Sequence, residues 1–133
     1  MRNFLDQEIK KCEKNGFVAT ILNRRRYIPE INSQNNSLRQ FAQRQAINAP
    51  VQGSAADLMK LAMIRIQDEM EKLQLHSRML ITVHDELVFD LVKKEQDLMA
   101  NLIRQKMEHT IELSVPIKVS VKVGKNWLEM EEI

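Results

Sequence analysis

The sequence predicts an α+β domain in which long helices pack on one face of an antiparallel sheet. Three stretches carry that expectation. From Gln52 to about Leu75, apolar residues recur every three or four positions (Ala55, Leu58, Met59, Ala62, Ile66, Met70, Leu73), the period of a helix with one buried stripe. Residues 79–92 hold two short runs rich in Val, Ile and Phe, Met79–Val83 and Leu87–Val92, on either side of His84-Asp85-Glu86; this reads as a hairpin of two buried strands. Ile117, Val119, Val121 and Val123 alternate with Lys118, Ser120 and Lys122, the pattern of a half-buried strand. A chain of 133 residues has room for one hydrophobic core, so residues 1–133 are expected to form a single domain.

Taken from the N-terminus, residues 2–15 predict a helix with Phe4, Leu5, Ile9 and Cys12 on one face and Asn15-Gly16 as its stop. Phe17–Leu22 and Tyr27–Ile31 are β-prone runs flanking Asn23-Arg24-Arg25-Arg26, so a small hairpin with three arginines at its tip is expected. Residues 31–36 form a polar loop, and Asn36 or Ser37 caps the next helix. That helix runs from Leu38 to about Asn48 and then meets Pro50. The proline ring removes a donor and biases residue 49 away from helical geometry, so a kink or restart is expected at 48–51. Beyond the central hairpin, a helix from about Lys94 to Ile111 buries Met99, Leu102, Ile103, Met107 and Ile111 before Ser114-Val115-Pro116 breaks it. Gly124 ends the last strand, and Trp127 is expected to fold back onto the sheet.

Composition narrows the classes. No apolar run approaches the roughly 18–20 residues that span a bilayer, and the polar start MRNFLDQEIKKCEK is unlike a signal peptide. Cys12, the single cysteine, can form neither an internal disulfide nor a cysteine-rich zinc site. A cytoplasmic protein with no membrane partner is the expectation. The net charge of +2 is unevenly spread: residues 1–60 hold ten Lys/Arg against five Asp/Glu, residues 61–133 ten against thirteen. A basic half suggests a polyanion and an acidic half a metal, although a solvated face is the plainer reading of an imbalance this small.

Three groups of residues point to chemistry. Tight hairpin turns favour Asn-Gly or Asp-Gly because their central residues need positive φ; His84-Asp85-Glu86 has no glycine and sets two carboxylates side by side. A hard divalent cation such as Mg²⁺, held by one or two carboxylates plus substrate phosphates, accounts for such a tip; a solvated polar turn is the alternative. Arg44, Asn48 and Gln52 are four apart, so on continuous helix they form one polar row whose donors suit base edges and sugars. Arg24, Arg25 and Arg26 repel one another unless an anion such as a phosphate backbone lies close; a surface turn chosen for solubility is the other reading.

Together, GFVATILNRRRYIPEINS, RQFAQRQAINAPVQGSAADLMKLAM, MLITVHDELVFD and VPIKVSVKVGKNW closely resemble, in order and spacing, the C-terminal end of family A DNA polymerases, the DNA polymerase I group. The four stretches cover nearly the whole chain. The resemblance implies a partial polymerase palm. In it Asp85 is a ligand for the Mg²⁺ ions that join a primer 3′-hydroxyl to an incoming dNTP, Glu86 assists, and His84 contacts the primer terminus. Arg44, Asn48 and Gln52 match family residues that touch the minor groove of the DNA primer-template, where acceptors are shared by all base pairs. The reaction implied is two-metal in-line displacement.

Asn23 replaces a residue that is often glycine in relatives, a harmless departure. The family's other metal-binding aspartate, in a DYSQIELR-like motif, has no match here, nor has the fingers helix that grips the triphosphate. The chain is therefore expected to be part of a palm that does not extend primers alone. A non-catalytic DNA-binding or assembly module is the competing reading. A small nuclease using Asp85 and Glu86 with Asp57 or Asp90 is a third, although Asp57 reads better as helix scaffolding. A palm cut from its neighbouring strand would expose a sheet edge, so a homodimer is also expected.

Overall fold

The computed structural model describes residues 2–133, and among these it holds three α-helices and six short strands, all paired antiparallel. The α+β character is as expected. The strands, however, form three separate two-stranded ladders rather than one continuous sheet. Two compact units result, one ending at Asp57 and the other beginning at Leu58. No helix among the described residues is long and apolar enough to cross a membrane.

In the first unit, α1 (Arg2–Asn15) stops where expected, at Gly16, whose φ of 75° places it in the left-handed region that favours glycine. Strands β1 (Phe17–Ala19) and β2 (Arg25–Tyr27) follow, shorter than the sequence suggests. Pro29 cannot donate to a ladder, so the chain after Tyr27 turns into a short 3-10 helix, Pro29–Asn32. Two of the three arginines therefore lie in β2 and not at the tip, which corrects the sequence-based placement. Asn35, one residue before the expected cap, receives the amides of Ser37 and Leu38 on its side-chain oxygen and opens α2 (Asn36–Lys72).

No restart occurs at Pro50: α2 runs through it. A proline inside a helix costs about 3 kcal/mol, and burial on α2 offsets that cost. Ala42, Ala46 and Ala49 pack with Cys12, Val18, Ile28 and Ile31 in the first unit's core, and small side chains leave room near the ring. One turn on, the Ser54 hydroxyl donates to the Pro50 carbonyl.

The second unit is built on the rest of α2, whose Ala62, Ile66 and Met70 are buried as the stripe predicts, while Leu73 at its end is exposed, as is Ala55 at the start of the stripe in the first unit. The helix ends in a left-handed residue that is not glycine, Gln74 (φ 52°), with the Leu75 amide bonding to Met70 O and that of Gln74 to Glu71 O. Strands β3 (Arg78–Val83) and β4 (Glu86–Asp90) pack Met79, Leu87, Phe89 and Leu91 against Ile66, Met70 and the α3 (Gln96–Glu108) residues Met99, Leu102 and Ile103. Lys106 pairs with Glu69 at 3.1 Å, and Arg65 donates to the Thr110 carbonyl at 2.6 Å, closing the end of α3.

Three expectations fail in this unit. The hairpin strands are not buried on both sides, since Leu80 and Ile81 are half exposed where the register slips between Met79 and Ile81. The stretch 117–123 keeps its in–out alternation of burial, but only β5 (Lys122–Gly124) pairs, with β6 (Met130–Glu132). Residues 117–121 find no partner strand among the described residues, and without one a sided pattern does not become a ladder. Trp127 stays half exposed and does not cover a sheet.

Gly53 is where α2 and the β1–β2 turn approach most closely: a Cβ built there would lie 2.6 Å from Thr20 Cγ2. Thr20 cannot swing away without losing the bond from its hydroxyl to Asp57. Gly53→Ala gains about 1 kcal/mol of helix propensity and loses roughly 1–3 kcal/mol to overpacking. The expected result is a lower urea midpoint, largely restored in Gly53→Ala/Thr20→Ser, which removes the obstructing methyl and keeps the hydroxyl. A Gly53→Ala chain as stable as the parent would contradict this packing.

Candidate nucleic-acid interface and acidic tip

Pairing of Val83 with Glu86 leaves His84 and Asp85 as a two-residue loop, so the polar triplet divides: two residues turn and Glu86 opens β4. His84 takes φ 55°, the left-handed geometry the sequence has no glycine to supply. Such a conformation costs a non-glycine residue about 1–2 kcal/mol, which the packed underside of the hairpin sustains. The side chains of His84, Asp85 and Glu86 are all exposed, and among the described residues none forms a hydrogen bond or ion pair.

The other end of the hairpin is pinned. Glu95 accepts from the His76 amide (2.9 Å), the Ser77 amide (2.8 Å) and the Ser77 hydroxyl (2.6 Å), and Ser77 Oγ accepts from the Val92 amide (3.0 Å). Ser77 is buried, so donors there need partners inside the protein. One carboxylate thus ties the start of β3 to the chain leaving β4.

No group of three or more His, Cys, Asp or Glu side chains among the described residues is arranged to hold a metal ion. Asp90 pairs with Arg78 at the opposite end of the ladder from the tip. Asp57 is buried and hydrogen-bonded by Thr20 and Arg24. Neither is available as a third carboxylate, and the nuclease reading loses its support. What the tip offers, two adjacent outward carboxylates, fits a cation that completes its shell from phosphates and other ligands.

In the first unit, continuity of α2 through Pro50 places Arg44, Asn48 and Gln52 in one exposed row, as the spacing predicts. The Arg44 guanidinium lies 5.9 Å from the Phe41 ring centroid. The three neighbouring arginines have three environments. Arg24 turns onto Asp57, with Nε 2.8 Å from Oδ1 and Nη2 3.2 Å from Gly53 O. Arg25 lies over the Phe17 ring at 4.6 Å. Arg26 is exposed and forms no ion pair among the described residues. Mutual repulsion is thus relieved for Arg24 inside the protein.

The family model for DNA polymerase family A matches residues 1–129. This chain belongs to DNA polymerase family A. It is 43% identical over 129 residues to DNA polymerase I of Caldicellulosiruptor bescii and 40% identical over 129 residues to that of Bacillus subtilis, covering 97% of this chain in both cases. It spans only 15% of the length of those relatives. Among solved structures it matches the POL domain of Pol1 from M. smegmatis, in complex with DNA primer-template and dNTP, with a TM-score of 0.93 and 43% identity over 95% of this chain and 22% of that one.

Sequence reasoning missed the role of Glu95 and Ser77 in this family A chain, and passed over Asp57 as scaffolding without seeing what it holds. Glu95 lies 18 residues from Ser77 and Asp57 lies 33 from Arg24, separations at which no local pattern signals contact. The one available hint was a carboxylate inside the apolar α2 segment, which must find donors if buried.

The Ser77 hydroxyl bond, then the His76 amide, hold the Glu95 carboxyl down at about 2, against an ordinary 4.5. Because the folded value is depressed, its contribution is complete above 4.5 and disappears as pH falls toward about 2. Across that window the urea midpoint of the parent chain should drop more steeply than that of Glu95→Gln. Parallel pH profiles would contradict the clamp.

Proposed function

We propose that residues 1–133 are the C-terminal palm portion of a DNA-directed DNA polymerase acting in replication and repair, and that the tip of the β3–β4 hairpin supplies part of its Mg²⁺ site. The observation carrying this reading is an outward Asp85 carboxylate without a partner among the described residues, on a pinned hairpin, in a chain that resembles DNA polymerase I along nearly its whole length. Asp85 holds the cation and Glu86 stands beside it. Mg²⁺, when bound, lowers the pKa of the attacking 3′-hydroxyl and offsets charge developing on the triphosphate. His84 meets the primer terminus. Arg44, Asn48 and Gln52 donate to minor-groove acceptors common to all base pairs, which tests pairing geometry without reading sequence. Of the arginine run, Arg26 faces the phosphate backbone.

One acidic tip does not fix two ions about 3.5–4 Å apart. The chain by itself is therefore inactive, and the partner carboxylate comes from polymerase sequence outside these residues. In a labelled primer-extension assay the chain alone should add no nucleotide. Replacing the corresponding portion of a complete family A polymerase with this chain should support synthesis, and Asp85→Ala in that chimaera should reduce turnover by well over 100-fold, since even second-shell partners of a metal are worth about 10–100-fold. Extension by the isolated chain, or near-normal turnover of the Asp85→Ala chimaera, would refute the assignment.

A further inference from the structure

We propose that Arg24 and Asp57 are positioning residues, and that by drawing Arg24 onto α2 they set Arg26 at a small recess shared with Gln52, where the two grip duplex DNA together, Arg26 at the phosphate backbone and Gln52 at the minor groove. The inference rests on the duplex-binding reading above and extends it to residues that do not touch DNA. Asp57 is buried and accepts from the Thr20 hydroxyl and Arg24 Nε, while the Arg24 amide donates back to Thr20 Oγ1 at 3.1 Å. The Ile21 amide donates to Ser54 Oγ at 2.9 Å, so the β1–β2 turn is fastened to α2 at two places one helical turn apart. Alternation along β2 does the rest. Arg25 shares a face with Phe17 and Tyr27, whereas Arg26, paired with Val18, lies on the other face. There Arg26 and Gln52, with Arg24, Ala49 and Gly53, line a recess of about 70 Å³.

The recess is too small to enclose a nucleotide and is open to solvent at its rim, so a phosphate group of the duplex backbone would rest at its mouth. A guanidinium and a carboxamide in one lining give a charge-assisted donor for phosphate oxygen and a neutral donor for the sugar or base edge. Arg24 also lines the recess, but its Nε and Nη2 are committed to Asp57 and to Gly53 O, and its part is to position Arg26.

The test uses the full chain and a fluorescein-labelled primer-template duplex, with anisotropy followed over a series of salt concentrations. Arg26→Ala should weaken binding severalfold and reduce the slope of log K against log salt by about one. Gln52→Ala should weaken it with the slope unchanged. Asp57→Asn should reproduce the Arg26→Ala slope, and Asp57→Asn/Arg26→Ala should be no weaker than either alone. Full additivity would overturn the positioning role. Loss of affinity in Arg44→Ala without any in Arg26→Ala would overturn the grip while leaving the duplex-binding reading intact; no duplex binding by the parent chain would remove both.

Should Asp57→Asn fail to fold, arginine side-chain NMR on the unmutated chain decides. Duplex should shift the Arg26 Nε signal and leave that of Arg24 in place. Equal shifts of both signals, or an Arg26 shift of the same size with dNTP alone, would contradict the inference.

Discussion

Four hydrogen bonds at the root of one hairpin govern what its far end can do. Glu95 collects both donors of Ser77 and the His76 amide, and Ser77 Oγ collects the amide of Val92. Without that carboxylate, the buried Ser77 would leave donors unsatisfied where two strands meet the helical layer, at about 1–3 kcal/mol each. With it, both strand ends are fixed, the underside packs on Ile66, Met70, Met99, Leu102 and Ile103, and the tip reaches solvent. A left-handed His84 is sustained at that tip because the ladder on either side gives the chain no other way to turn.

Acidic residues in this chain are thereby sorted by what surrounds them. Asp57 and Glu95 are acceptors that hold turns and strand ends in place, each taken up by hydrogen-bond donors of the protein. Asp85 and Glu86 have no such donors among the described residues and remain available to something from outside. The same sorting runs through Arg24, Arg25 and Arg26, identical in type and adjacent in sequence: one is committed to a carboxylate, one to an aromatic ring, and one faces solvent. Residue type alone would have given all of them the same part.

What could be read from the sequence was what depends on nearby residues. The stop at Gly16, the stripe of Ala62, Ile66 and Met70, the buried face of α3 and the Arg44–Asn48–Gln52 row all follow from spacing within a few turns of helix. Pro50 misled because its local cost is certain while the burial that offsets it lies on distant residues such as Cys12 and Ile31. Ladders need partners, so alternation at 117–123 predicted a side to bury but not a strand to pair with. The tip at His84–Glu86 stands out in the sequence because it fits its own turn poorly. Its support does not, because Glu95 meets Ser77 across 18 residues of chain, on the far side of the hairpin.

Manganese provides the most direct test of an outward, unpaired carboxylate poised for a hard cation, since Mn²⁺ takes the same oxygen ligands as Mg²⁺ and broadens nearby NMR signals even when bound weakly. Titrated into the full chain, it should broaden the amides of His84, Asp85 and Glu86 before any others, and Asp85→Asn should abolish that selectivity while leaving the rest of the spectrum unchanged. Broadening centred on another acidic segment such as Glu129–Glu132, or persisting at the tip in Asp85→Asn, would contradict it.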